Sequence, residues 1–307
     1  MRRALRVLLS EVIDYAGLFP PAKLDVPTSV ENYLRYFHGP QKWILGRFVC
    51  SSGKLPELAR ELAEHPEEPF IPVTVIGQAS QDRKTWEHAL THDSEAMNKF
   101  MKDVENHAEI EAFEIRVPDH EHIESYMKDL KGFNDVDVFV ELPWAAQMDE
   151  SLGLLAETQW LRAKARTGGL EAAAFPGGDQ LAGFLQQCSH LDVPFKLTAG
   201  LHHPMPRHDD ATGGEMHGFL NILVALSLIH GHELNRGEIE AVLAETDPAA
   251  FKFEEDGLEY RGQYVPLDNV EAARDVFVSY GSCSVDEPIE DLEKMGLLGS
   301  KSESVKR

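Results

Sequence analysis

Cysteine is scarce in this chain and poorly spaced for chemistry. Only three occur among 307 residues, Cys50, Cys188 and Cys283, and no CxxC pair is formed, which argues against a disulfide framework and against a cysteine-built zinc site. A reducing, cytoplasmic setting is the natural expectation. Positive charge is also short: 29 Lys and Arg stand against 52 Asp and Glu, a formal charge of −23. Such a surface repels phosphate backbones, so no nucleic acid is expected as a partner. Long apolar runs are missing as well. The longest, 218–229, contains Asn221 and Ser227 and is too short to cross a bilayer, so no membrane partner is expected either. The opening Met-Arg-Arg leads into a short apolar stretch interrupted by Glu11 and Asp14, with no small-residue cleavage site to suggest a signal peptide. No GxGxxG turn follows the first β-rich run, which disfavours a dinucleotide-binding open sheet.

What is present is a repeat of short apolar, β-rich runs with amphipathic stretches between them. The runs fall at 12–15, 44–50, 70–76, 112–117, 136–142, 161–165, 195–197 and 276–280, and intervening stretches such as 55–64, 93–107, 122–131 and 179–190 are long enough for crossover helices. Eight strands alternating with helices predict a TIM (β/α)8 barrel, an α/β fold, as one domain over 1–298. One connection departs from the repeat. Between strands seven and eight, at about 201–262, the chain carries a His-rich turn, a long helix over 215–232 and a second over 236–245, elaborating the side on which barrel active sites are built. The polar segment 299–307 reads as a disordered tail.

Two lysines stand at strand ends that lead into glycine turns: Lys164 in Lys164-Ala165-Arg166-Thr167-Gly168, and Lys196 in Lys196-Leu197-Thr198-Ala199-Gly200. Adjacent strands of a parallel barrel would bring both ammonium groups into one cleft, where like charges depress each other's pKa and a neutral, nucleophilic lysine becomes accessible. That is the chemistry of a Schiff base with a carbonyl substrate. Ordinary surface lysines flanking strands are the plain alternative. Arg166, two residues beyond Lys164, shares its strand face and adds positive charge. Glu141 is delivered to the rim by Val138-Phe139-Val140 and reads either as a base or as a structural ion-pair partner.

These strand ends, taken in order, resemble the class I aldolases of the 2-deoxyribose-5-phosphate aldolase type, which are TIM barrels working through a Schiff-base lysine. Val73-Thr74-Val75-Ile76-Gly77 is similar to that family's third strand. The Lys164 segment resembles its sixth, with the K-x-x-T-G motif. Phe175-Pro176-Gly177-Gly178 resembles the following connection, and the Lys196 segment its second lysine motif. Ile13-Asp14-Tyr15 resembles a strand-one aspartate, and Tyr280-Gly281-Ser282-Cys283-Ser284 the turn that holds substrate phosphate. The resemblance implies a lyase with Lys164 as Schiff base and Lys196 and Asp14 beside it, without a cofactor, and a substrate contacted by Thr167, Gly168, Thr198, Gly200, Gly281, Ser282 and Ser284. The residues' own chemistry adds Glu141, His202 and His203 as proton carriers and Arg116 and Arg166 as contacts for a small anionic carbonyl compound, phosphorylated or carboxylated. One departure stands out: the family's fourth strand carries a proton-relaying aspartate, whereas Glu114-Ile115-Arg116 places Arg116 there. Arginine is no general base, so that role passes to Glu141, Asp14 or a histidine, while the guanidinium suits a substrate anion.

The rival signal is the histidine cluster. His202, His203, His208 and His217 follow the Lys196 turn and could bind a divalent metal in a barrel hydrolase or isomerase, although no HEXXH or other closed ligand spacing is present. His217 and Asn221, one helical turn apart, read equally as satisfied core groups. The Gly281–Ser284 turn reads as an anion site at a helix start or as simple N-capping. A non-catalytic metabolite-binding barrel is the third reading, and assembly into a homo-oligomer is left open.

Overall fold

The computed structural model describes residues 1–105 and 107–299. Eight parallel strands close into a barrel: β1 (Ile13–Tyr15), β2 (Leu45–Ser51), β3 (Ile71–Ile76), β4 (Ala108–Arg116), β5 (Asp137–Leu142), β6 (Leu161–Arg166), β7 (Phe195–Thr198) and, after further elements, β13 (Phe277–Ser282). Each pairs with its neighbour in sequence, and β1 closes the ring against β13, with Asp14 opposite Gly281. All eight strands expected from the sequence are therefore the barrel strands. Segment 299–307 lies outside the described residues except for Gly299.

The crossover helices form where apolar periodicity meets a cap. Among them, α2 (Val26–Phe37) starts at Asp25, whose carboxylate accepts from the Thr28 amide, and α4 (Arg83–Val104) starts at a reciprocal box of Asp82 and Thr85. The α4 start corrects the sequence expectation, which opens this helix at residue 93. The first ten residues are mostly polar on their outer face, but Trp86 and Leu90 continue the buried stripe. Helices α3 (Leu55–Ala63), α5 (Ile123–Asp129), α6 (Met148–Ala156) and α7 (Gly178–Leu191) complete the regular part, preceded by α1 (Arg3–Leu9). Aromatic edges lock the last strands to the helix layer: Phe184 on α7 meets Phe195 at 5.0 Å between ring centres, and Phe195 meets Phe277 at 5.3 Å.

Between β7 and β13 the chain builds more than two helices. A hairpin, β8 (Arg207–Asp209) with β9 (Gly214–Met216), comes first, followed by α8 (Phe219–Gly231) and α9 (Arg236–Leu243), the latter capped by Asn235 and Glu238. An antiparallel sheet then forms from β10 (Phe251–Phe253), β11 (Gly257–Tyr260) and β12 (Gln263–Pro266), leading to α10 (Leu267–Val276). The helix expected over 215–232 thus begins only at Phe219, because Gly214–Met216 pairs as a strand. Every residue from Phe219 to Leu228 is buried, with α8 packed against α7, α9 and α10. Such all-round burial is why a helix hydrophobic on every face sits here. The chain ends its described part in α11 (Asp286–Lys294). Among the described residues no helix is long and apolar enough to cross a membrane.

Candidate active site

Side chains alternate along a strand, so Glu114 on β4, Glu141 on β5, Lys164 on β6, Lys196 on β7, and Asp14 on β1 can all project into the barrel. The structure brings them together as one chain of alternating charge. Glu141 Oε2 lies 2.9 Å from Lys164 Nζ, and the same ammonium is 2.7 Å from Glu114 Oε2. Glu114 Oε1 is 2.6 Å from Lys196 Nζ, which in turn donates to Asp14 Oδ2 at 2.5 Å. Asp14 also accepts from the Ser279 hydroxyl at 2.7 Å and from the Arg47 amide at 3.0 Å. The two lysines pair directly in the β6–β7 register. They share one buried cluster, with the Glu114 carboxylate between them.

Exposure grades along this chain. The side chains of Lys196, Asp14 and Glu114 are at most 1% exposed, Lys164 is 6% exposed and Glu141 15%. The Lys164 ammonium is therefore the amine nearest the mouth, with Glu141 beside it and Lys196 behind. Lys196 also lies 5.4 Å from the centre of the Phe139 ring. Below this layer, toward the N-terminal end of the strands, Arg162 meets Asp137 at 2.6 Å and Arg47 meets Glu111 at 2.9 Å.

The electrostatics reverse one sequence expectation. Burial pulls the Lys164 pKa down, yet Glu114 and Glu141 outweigh it and raise the group above its ordinary value. The resting side chain is an ammonium rather than a neutral amine depressed by Lys196. Arg166 was expected to lower the lysine; instead it bears on Glu141. That carboxyl is pushed up by burial but brought below its ordinary range by Lys164, Arg166 and Arg116. Glu114 is likewise pushed up by burial and drawn down further by Lys164 and Lys196.

A pH dependence follows. Glu114 and Glu141 have folded pKa values below their unfolded ones, so between the two the unfolded chain binds more protons and stability rises with pH. Their contribution is complete above the ordinary glutamate range and is lost as the pH falls toward the folded values. Urea unfolding from pH 7 to pH 3 is expected to show this loss, and Glu114→Gln to flatten it by up to about 1.4 kcal/mol per pH unit, one proton's share. An unchanged slope in the variant would mean that Glu114 carries no such linkage.

Arg116 is not the inward group that the sequence expectation made it. Glu114, two residues earlier on the same face, occupies the position between the lysines, while Arg116 is exposed at the rim, opposite Glu141 in the β4–β5 register. Glu114 is the residue that sequence reasoning missed, although a lone charge in the apolar run Ala112-Phe113-Glu114-Ile115 is a signal for it. Ser279 and His120 were missed as well. His120, in the segment after β4, has both ring nitrogens buried and without a hydrogen-bond partner among the described residues. Its pKa is lowered by burial and by Arg116.

The two glycine turns form one support. Thr167 donates its hydroxyl to the Ala199 carbonyl at 2.6 Å and its amide to Thr198 at 2.9 Å, tying the end of β6 to that of β7. A Cβ on Gly168 would stand 2.8 Å from the Gly200 Cα, so the two backbones touch where only glycine fits. Ala199 and Gly200 both take positive φ, 63° and 75°. The strain sits on Ala199, where a side chain in the left-handed region costs about 1–2 kcal/mol. Ala199→Gly is expected to raise stability in urea unfolding by up to about 1 kcal/mol, after the extra flexibility of glycine in the unfolded chain is subtracted. A destabilised variant would mean that the Ala199 methyl packs more than it strains.

The histidines do not converge. His203 Nδ1 is 2.6 Å from Asp291 and His202 Nδ1 3.5 Å from Glu287, both on α11. His208 pairs with Glu215 across the β8–β9 hairpin at 2.7 Å, and the buried His217 meets the Pro176 carbonyl at 2.8 Å. Asn221 donates through Nδ2 to the Val242 and Glu245 carbonyls, while its Oδ1 is buried without a hydrogen-bond partner among the described residues, so the core reading holds for its donor only. Among the described residues no group of three or more His, Cys, Asp or Glu is placed to hold a metal ion. In the last turn, Ser282 is buried and donates to the Ser284 carbonyl, Ser284 accepts from the Glu287 amide at 3.4 Å, and Asp286 and Glu287 occupy the first turn of α11. No protein-family model and no curated protein matches the chain.

Proposed function

We propose that this protein is an aldolase-like carbon–carbon lyase that forms a Schiff base between Lys164 and a small anionic carbonyl compound. The observation that carries the reading is the Glu141–Lys164–Glu114–Lys196 chain at the C-terminal end of a barrel, the face on which barrel enzymes place their chemistry. Lysines buried among carboxylates for stability alone need not sit at the mouth. Lys164 is the ammonium of this chain nearest the rim, 6% exposed, with carboxylates on two sides to take its proton.

The reaction needs that proton to leave. In the resting state Glu114 and Glu141 hold the proton on the Lys164 nitrogen, so its transfer to Glu141, the more exposed of the two, is the uphill step that frees the lone pair. The amine attacks the carbonyl carbon, forming the N–C bond while the carbonyl π electrons move to oxygen. Protonation of that oxygen and loss of water give the iminium. Overall, ammonium and carbonyl become iminium and water. The positive iminium then accepts the electron pair of the breaking carbon–carbon bond and becomes an enamine, while the β-hydroxyl gives its proton to a carboxylate and its carbon leaves as an aldehyde; protonation of the enamine carbon and hydrolysis release the second product and restore Lys164. Lys196 stays charged between Glu114 and Asp14 and keeps Glu114 oriented toward Lys164. Against the departure at the fourth strand, Glu114, two residues before Arg116, supplies a carboxylate between the two lysines. His202 and His203, at the start of the His-rich connection over 201–262 and each beside an acid on α11, are the proton carriers proposed on the strand-seven side.

The test is mass spectrometry of the intact protein after borohydride reduction with a panel of aldehydes, keto acids and sugar phosphates, with peptide mapping. A substrate-dependent adduct on Lys164 is expected. An adduct confined to exposed lysines such as Lys99 or Lys128 would sink the proposal.

A further inference from the structure

We infer that the substrate of this site is an unphosphorylated oxo acid, whose carboxylate is held at the rim by Arg116 and Arg166. The inference rests on the Schiff-base reading and deepens it by choosing between the two anions left open there.

Strand geometry places both arginines. Arg116 lies two residues beyond Glu114 on β4, and Arg166 two beyond Lys164 on β6, so each shares the face of a residue in the buried chain and stands about 6.6 Å further toward the mouth. Arg116 is opposite Glu141 in register, and Glu141 is opposite Lys164. The two guanidiniums therefore flank the strand that carries Glu141, directly outward of the Lys164 ammonium. Neither makes a hydrogen bond or ion pair through its side chain among the described residues. In a chain of net charge −23, two arginines beside a nucleophile that keep their forks free are a binding element for an anion from solution. The Arg166 end is also held: its carbonyl accepts from Trp144 Nε1 at 2.5 Å.

The rival anion site is filled. Around the Gly281–Ser284 turn, Ser282 is buried and spends its hydroxyl on the Ser284 carbonyl, while the Ser284 hydroxyl caps the Glu287 amide. Asp286 and Glu287 stand at the start of the helix, where a phosphate would need its amides. Asp286 is paired with Arg35 at 2.7 Å and Glu287 lies beside His202, so the guanidinium nearest this turn is already taken by a carboxylate. A carboxylate on the substrate's own carbonyl end or a few carbons away instead falls within reach of Arg116 and Arg166.

The experiment compares half-maximal trapping concentrations for four probes, pyruvate, 4-oxobutanoate, acetaldehyde and glyceraldehyde 3-phosphate, in the wild type and in the Arg116→Gln, Arg166→Gln double variant. Both positions are exposed, and circular dichroism checks the fold. The expected result is an adduct on Lys164 in both proteins, with at least one oxo acid trapped about tenfold more readily than the phosphate probe, as two charge-assisted contacts allow. The double variant is expected to lose that preference, read within each protein as the ratio of oxo-acid to acetaldehyde trapping, so that any change in Glu141 on loss of the two guanidiniums cancels. A preference for glyceraldehyde 3-phosphate, or an oxo-acid preference that survives in the double variant, overturns the inference while leaving the lysine chemistry standing. No Lys164 adduct with any probe overturns both.

Discussion

Replacing Glu114 with alanine is expected to destabilise the barrel by about 3–5 kcal/mol, the usual penalty for leaving buried charge without its partner. Each lysine keeps one carboxylate, Glu141 for Lys164 and Asp14 for Lys196, so neither is abandoned outright. Both ammoniums nevertheless face a new void and each other. The desolvation that Glu114 offset is then borne by two cations, both almost wholly buried. Urea unfolding at pH 7 measures the loss. Glu114→Gln fills the same volume and keeps an acceptor, so it is expected to lose less than alanine, and the difference isolates cavity from charge. A loss below about 1 kcal/mol for Glu114→Ala would show that the interior relaxes around the lysines and that the ion chain contributes little.

Lys164→Ala is expected to abolish the borohydride-trapped adduct and to lower turnover of any substrate found for the native protein by ~10^3-fold or more, the scale of losing a covalent nucleophile. The fold is expected to survive, because Glu141 is partly exposed and Glu114 retains Lys196. Lys196→Ala works differently. It keeps the nucleophile but hands the whole of Glu114 to Lys164, raising the Lys164 pKa further and moving the pH dependence of adduct formation upward. Retention of even a tenth of native turnover in Lys164→Ala would exclude a Schiff base at that residue.

The barrel was readable because its strands are short, apolar and separated by crossover-length segments, and all eight correspond to runs visible in the chain. The pair Lys164 and Lys196 was readable for a related reason: a charge at the end of an apolar run before glycine has few other places to point. What resisted was depth along a strand. In Glu114-Ile115-Arg116 both charged residues lie on one face, and only the register with β5 decides which one sits at the level of Lys164. A shift of two residues exchanges a buried carboxylate for a rim guanidinium. The direction of the lysine shift was hidden for the same reason, since two cations without Glu114 between them repel, and with it they do not. The sheet built by β10, β11 and β12 has no long apolar run, and its strands are three or four residues long. The histidines cluster in sequence yet diverge in space, because the β8–β9 hairpin intervenes between His203 and His217.

Asp14 has one more role, set by its position in the chain rather than by its charge. Its carboxylate joins β1, the first strand of the barrel, to Ser279 on the last, 265 residues away, and to Lys196, 182 residues away. None of these partners is local. While the chain is being made, β1 leaves the ribosome with a carboxylate that can take the Arg47 amide early, but its ionic partner Lys196 and its last partner Ser279 follow much later, and the cost of bringing such distant segments together falls before those contacts reward it. The ring therefore cannot be sealed piecewise from its N-terminus. The same residue that anchors the ion chain in the finished barrel also marks the seam at which closure waits for synthesis to reach the final strand.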